Sequence, residues 1–158
     1  MYIFTNLLFF KYSIPFYKKT MTITINRVND AYHFEANNDT GNILTMDGSP
    51  DIGGLNKGFR PMQSLLASLG GCSAIDVILI LKKQKEPVED IKVELSGERH
   101  QVEGAKPFKS IRVHFILKGK LSEKKVARAI ELSSTKYCSV GFMLREACDI
   151  TYDFTIVD

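Results

Sequence analysis

Apolar and polar residues alternate along "MTITINRV", residues 21 to 28, and this two-residue period predicts a β-strand. "AYHFEAN" and "NILTMDG" predict two more short strands, with "NNDTGN" as the turn between them. Residues 48 to 61, "GSPDIGGLNKGFRP", read as a Gly- and Pro-rich loop. Alternation then gives way to "MQSLLASLGGCSAIDVILILKKQ", Met62 to Gln84, a run without proline. Its length predicts a helix, and Lys82 and Lys83 suit the negative end of a helix dipole. It is apolar nearly all round from Leu65 to Leu81, which predicts a central, buried helix.

After Pro87 the two-residue period returns. "IKVEL" sets Ile91, Val93 and Leu95 on one side, and "SIRVHFIL" sets Ile111, Val113, Phe115 and Leu117 inward with Arg112 and His114 outward. Half-buried strands of this kind suit an antiparallel sheet with one covered face. Ser122 is the expected N-cap of "EKKVARAIELSSTKY", in which Val126, Ile130 and Ser133 or Tyr137 share a face. A second short helix is expected to start near Cys138. "DITYDFTIV" closes the chain as a strand, with Ile150, Tyr152, Phe154 and Ile156 on one face. Three strands, a helix, two strands, two helices and a strand make an α+β fold, with antiparallel sheets wrapping a hydrophobic helix. So apolar a helix needs cover on its other side as well, and a homodimer is the expected source.

Composition narrows the class. A chain of 158 residues is expected to form one domain with a substantial core. Its 44% apolar and 25% charged content is that of an ordinary globular protein. The net charge of +3 comes from Lys11, Lys18 and Lys19 in the first twenty residues; the rest of the chain balances 18 basic against 18 acidic residues. With the basic residues mixed among acids, no nucleic-acid partner is expected. That leader carries seven Phe or Tyr residues and is followed at once by Met21. Its uncharged run, Met1 to Phe10, is too short to span a bilayer, and its charge order is wrong for a signal peptide. Residues 1–20 are therefore read as a non-domain leader, an upstream-start extension, and residues 21–158 as the domain. The rival reading is an aromatic arm that packs on a partner subunit. No membrane association is expected. Three cysteines, a low and odd count, argue for a reducing, cytoplasmic setting rather than a disulfide framework.

Two of the thiols stand in unusual places. Cys72 lies inside the long helix behind Gly70 and Gly71, each of which costs a helix roughly 1 kcal/mol relative to alanine. Either another element packs tightly there, or the glycines open a pocket beside the thiol. Asp76 is four residues on and shares a face with Cys72. A carboxylate inside an apolar helix must be bonded or paired, so Asp76 either orients the site or holds the adjacent helix. Cys138 follows Lys136 and Tyr137 at an expected helix start, where dipole and cation favour thiolate. Cys148 is read as an inert core thiol. The residues alone leave packing and a redox pair both open. The separation of 66 positions from Cys72 to Cys138 is no metal-like spacing, and a zinc site would need scattered His33, His100 or His114. Neither a metal nor a cofactor is expected. "GGLNKG" lacks P-loop spacing, and there is no serine nucleophile elbow.

"RPMQSLLASLGGCSAIDVILIL" followed by "ARAIELSSTKYCSVGFML" resembles the OsmC/Ohr family, and within it the OsmC-like (YhfA-type) branch. The likeness covers about residues 21 to 158. It implies the OsmC-like fold, an intertwined homodimer with helices enclosed by sheets, and thiol peroxidase chemistry on organic hydroperoxides. Cys72 matches the family's peroxidatic thiol and Cys138 the resolving thiol, and a dithiol reductant, such as a lipoyl protein, would restore both. Bonding between them needs Cα atoms about 4.4–6.8 Å apart, and that approach is expected. The peroxidases also clamp the peroxide with an arginine from the N-terminal strand region and a glutamate at the start of the central helix. Here the glutamate position falls on Met62, beside Gln63, and "VNDAYHFEANNDTGN" holds no arginine. Arg60 is the expected substitute cation, with Arg27 a weaker one. Two functions follow: a peroxidase in oxidative-stress defence, or a non-catalytic relative that binds a small hydrophobic ligand.

Overall fold

The computed structural model describes residues 20–158; the expectations for the leader fall almost wholly on residues 1–19 and lie outside the described residues. Strands β1 (Thr24–Arg27), β2 (Phe34–Asn37) and β3 (Ile43–Met46) form an antiparallel meander in which Ile25, Ala36 and Leu44 lie side by side. The turn before β3 closes because Asn38 Oδ1 accepts from the N–H groups of Thr40 and Asn42. Helix α1 (Pro61–Lys83) follows the predicted span. A second sheet contains β4 (Asp90–Arg99), β5 (Phe108–Lys118) and β6 (Asp149–Val157), with β5 in the middle. Helices α2 (Glu123–Leu132) and α3 (Ser139–Leu144) lie between β5 and β6. The element order matches the sequence reading.

The core forms where the inward row of β5 meets the helices. Ile111, Val113, Phe115 and Leu117 pack with Leu69, Val77 and Leu81 of α1 and with Val126, Ala129 and Ile130 of α2. Gly70 explains the closeness of α1 to β4: a Cβ there would stand 2.6 Å from Leu95 Cδ1. The tight-packing reading therefore holds for Gly70. It does not hold for Gly71, where nothing among the described residues lies within 4 Å of an added Cβ. Ser122 starts α2, but its hydroxyl makes no cap. Glu86 does that work instead: Oε2 accepts the Ser122 N–H at 2.7 Å while Oε1 binds Lys125 Nζ at 2.7 Å.

One expectation is corrected. The second sheet is not purely antiparallel: β4 runs antiparallel to β5, but β6 runs parallel to it, with Val113 opposite Tyr152 and Phe115 opposite Phe154. The cause is the connection, because α2 and α3 carry the chain back along the sheet before β6 begins, as any parallel pair requires. Helix α1 is not enclosed within its own chain, in keeping with the expected need for cover on its other side. Its buried residues, Leu69, Gly70, Ser73, Val77 and Leu81, make one face, while Ile75 and Leu79 are 61% and 51% exposed. By length and composition α1 is also apolar enough to cross a membrane; its apolar face is used for packing against β4, α2 and α3. The first sheet leaves Ile25 and Ile43 exposed, and among the described residues the core that covers α1 draws on the second sheet rather than the first.

Candidate functional site

The start of α1 is built by the loop before it. Asp47 is buried and its carboxylate accepts from the N–H groups of Gly48, Leu55 and Lys57. The bond from Lys57 is the main cause that holds its carboxyl below the usual carboxylate range. Arg60 is spent on the same loop. Its guanidinium donates to the carbonyl oxygens of Asp47 and Gly58 and to Asn56 Oδ1. Gln63 Oε1 accepts the Arg60 N–H at 2.9 Å and caps the helix. Twelve residue steps along the helix, a rise of about 18 Å, separate Arg60 from Cys72. The expected substitute cation therefore does not face the thiol of its own chain, and Gln63 stands at the same distant end.

Cys72, Asp76 and Cys138 do come together. Their two Sγ atoms and one carboxylate oxygen lie within 4.8 Å of one another. Cys72 and Asp76 are half-buried, whereas Cys138 is 2% exposed. A local irregularity delivers Cys138. After α2 the chain widens into a π turn, Ser133–Tyr137, in which the Cys138 N–H reaches back to the Ser133 carbonyl at 2.9 Å. The turn aims the Ser133 hydroxyl at Asp76 Oδ2, 3.3 Å away. Asp76 thus bonds the adjacent helical segment, as one of its two readings has it, and its carboxylate lies beside the thiols.

Cys138 is the N-cap of α3 and its sulfur accepts from the Gly141 N–H at 3.3 Å and from Ser73 Oγ at 3.4 Å. Those donors favour thiolate. Burial outweighs them and pushes the Cys138 thiol up, with the neighbouring Cys72 thiol adding to the rise. The expected activation of Cys138 by helix dipole and cation is therefore corrected: Lys136 Nζ lies over the Tyr137 ring, 5.2 Å from its centre, and desolvation governs the thiol. Gly141 leaves room for this arrangement, since a Cβ there would lie 3.2 Å from the Tyr152 hydroxyl and 3.4 Å from Cys138 Sγ. Burial pushes the Tyr152 phenol up to about 12, so it faces the site as a neutral hydroxyl.

Cys148 is half-buried, donates to the Leu144 carbonyl at 3.5 Å, and is pushed up by burial. It lines an apolar cleft of about 460 Å³ with Met62, Leu65, Phe108 and Leu144, which Arg99 and Lys106 also border.

Sequence reasoning missed Ser73, Ser133, Asp47 and Tyr152. Ser73 and Ser133 carried a signal: serine beside cysteine on a packed helix, and serine five residues before the second cysteine. Asp47 gave none, because its three partners sit in an irregular loop.

The profile of the family described as "OsmC-like protein" matches residues 54–153. The chain is 42% identical over 119 residues to the protein YhfA of Escherichia coli K12, across 75% of this chain and 85% of that one. A crystal structure of a hypothetical protein from Aquifex aeolicus VF5 superposes with a TM-score of 0.76 and 31% identity, covering 88% of this chain and 97% of the other. An organic hydroperoxide resistance protein from Elizabethkingia anophelis shares the fold, with a TM-score of 0.67, 17% identity, and coverage of 89% and 99%.

Proposed function

The chain belongs to the OsmC-like protein family, and on that premise we propose that it is a thiol-dependent peroxidase that reduces organic hydroperoxides. The observation that carries this reading is the asymmetric thiol pair: two sulfurs within 4.8 Å, one half-buried and one sealed. Cys72, the reachable thiol, is the nucleophile. As thiolate it attacks one oxygen of the peroxide, the O–O bond breaks, and the leaving alkoxide takes a proton to become the alcohol. Cys72 is left as a sulfenic acid. Cys138 then attacks that sulfur, losing its own proton, and the sulfenic oxygen departs as water. The product is the Cys72–Cys138 disulfide, which a dithiol reductant of the lipoyl kind returns to two thiols by exchange. A thiol held protonated by burial suits the second role better than the first, because it waits until an electrophilic sulfur appears beside it. Asp76 and Gly141 orient the pair.

That the fold is shared with an organic hydroperoxide resistance protein from Elizabethkingia anophelis is in keeping with this reading. With Met62 at the family's glutamate position and Arg60 bound to its own loop, the rate is expected to fall below that of relatives with a complete clamp. We take the working unit to be a homodimer, since Ile75 and Leu79 of α1 and Ile25 and Ile43 of the first sheet need cover.

A second reading has its own observation. The 460 Å³ cleft beside Met62 and Cys148 is apolar and within the size range of small-ligand sites, which fits a non-catalytic member that binds a hydrophobic molecule. Turnover of cumene hydroperoxide with dihydrolipoamide separates the two. The peroxidase reading expects sustained consumption by the wild type, none by Cys72→Ser, and a single turnover by Cys138→Ser. A wild type that leaves the peroxide untouched while folded and fully reduced overturns it in favour of binding.

A further inference from the structure

We propose that the reduced site is also a zinc site, with Cys72 Sγ, Cys138 Sγ and one Asp76 carboxylate oxygen as its three protein ligands. Cys72 and Asp76 are four residues apart on α1 and so project from the same face, and the π turn brings Cys138 opposite them from another element. All three donor atoms lie within 4.8 Å of one another. Tetrahedral zinc with Zn–S bonds of about 2.3 Å places its ligand atoms about 3.5–3.8 Å apart, so the donors need close by only about 1 Å, a side-chain adjustment.

The donor set selects the metal class. Two thiolates exclude hard cations such as magnesium and calcium, while the carboxylate favours zinc over copper(I). Supporting bonds are already made. Ser133 Oγ donates to Asp76, and Ser73 Oγ and the Gly141 N–H donate to Cys138, an outer shell of the kind that orients metal ligands. Cys72 and Asp76 are half-buried, which leaves the fourth position for water.

Binding is a proton exchange with no redox change: one zinc ion enters and two thiol protons leave. The same two sulfurs cannot bind zinc as thiolates and form a disulfide at once. Zinc therefore guards the pair, and oxidation of the pair releases zinc. The inference stands apart from the peroxidase reading, because an inert thiol pair with this geometry would bind zinc equally well.

The test uses the full chain, reduced and free of metal. Cobalt(II) alone reports ligand type through its sulfur-to-metal charge-transfer absorption, and zinc alone, titrated against a chromophoric chelator, reports affinity. The proposal expects one cobalt per chain, a charge-transfer band that halves in Cys72→Ser, and no band after the disulfide is made with a thiol oxidant. Ser133→Ala should weaken zinc about 10- to 100-fold, and Asp76→Asn at least as much. Circular dichroism checks that each variant is folded, and Cys72→Ser, at the half-buried ligand, keeps the test decisive where a Cys138 variant fails to fold. A wild type without the band overturns the proposal, as does zinc binding that is unchanged in folded Cys72→Ser or Asp76→Asn.

Discussion

Alanine in place of Gly70 and of Gly71 isolates the packing that sets the thiol-bearing helix against the sheet. Both positions lie mid-helix, so each substitution gains about 1 kcal/mol of helix propensity. At Gly71 nothing among the described residues lies within 4 Å of the new methyl group, and the gain is expected in full. At Gly70 the methyl would stand 2.6 Å from Leu95 Cδ1, closer than carbon atoms approach. Either the Leu95 side chain leaves its position or α1 moves off β4, at a cost of about 1–3 kcal/mol for overpacking. Gly70→Ala should therefore be neutral or up to about 2 kcal/mol less stable than the wild type. Propensity cancels in the comparison, so the two variants should differ by about 1–3 kcal/mol. Urea unfolding followed by far-ultraviolet circular dichroism, at one fixed protein concentration, measures that difference. Two variants within about 0.5 kcal/mol of each other would refute the reasoning, and with it the claim that Gly70 exists for the approach of Leu95.

Asp47→Asn should lower the melting temperature at neutral pH. Because the folded carboxyl is held below its ordinary value, its contribution is present above about pH 4 and fades as pH falls through the lower folded value; the variant should therefore lose less stability than the wild type on acidification, as a thermal melt series over pH would record. Leu69→Ala empties a fully buried site beside Gly141 and should cost about 2–5 kcal/mol in urea unfolding. Gly141→Ala crowds Tyr152 and Cys138 at 3.2 and 3.4 Å; strain of about 1–3 kcal/mol should slow disulfide closure about 5- to 150-fold while leaving the first oxidation of Cys72 unchanged, as rapid quenching with a thiol label would resolve.

The legible part of this fold is the part governed by period. Alternation in "SIRVHFIL" placed Ile111, Val113, Phe115 and Leu117 on the buried face, where all four lie at or near zero exposure. The apolar run of α1 marked both the helix and its need for cover on two sides; within one chain Ile75 and Leu79 stay exposed, because hydrophobicity all round reports what needs cover rather than what one chain supplies. The parallel pairing of β6 was implicit in the two helices before it, yet strand alternation carries no direction. At the site, family motifs pointed to Cys72 and Cys138, and helical spacing pointed to Asp76. Only three-dimensional geometry showed that Arg60 bonds Asp47, Gly58 and Asn56. The π turn was equally hidden, since one extra residue in a helical turn leaves no mark on periodicity.

The central claim is that Cys72 and Cys138 are a working redox pair. Its most direct test is intact mass and thiol mapping after one equivalent of an organic hydroperoxide, on the wild type and on Cys72→Ser. The account predicts prompt loss of two hydrogens from the wild type, mapped to a Cys72–Cys138 bond, and no such change in the variant. Both thiols surviving reduced in the wild type, or a disulfide that joins Cys148 instead, would contradict it.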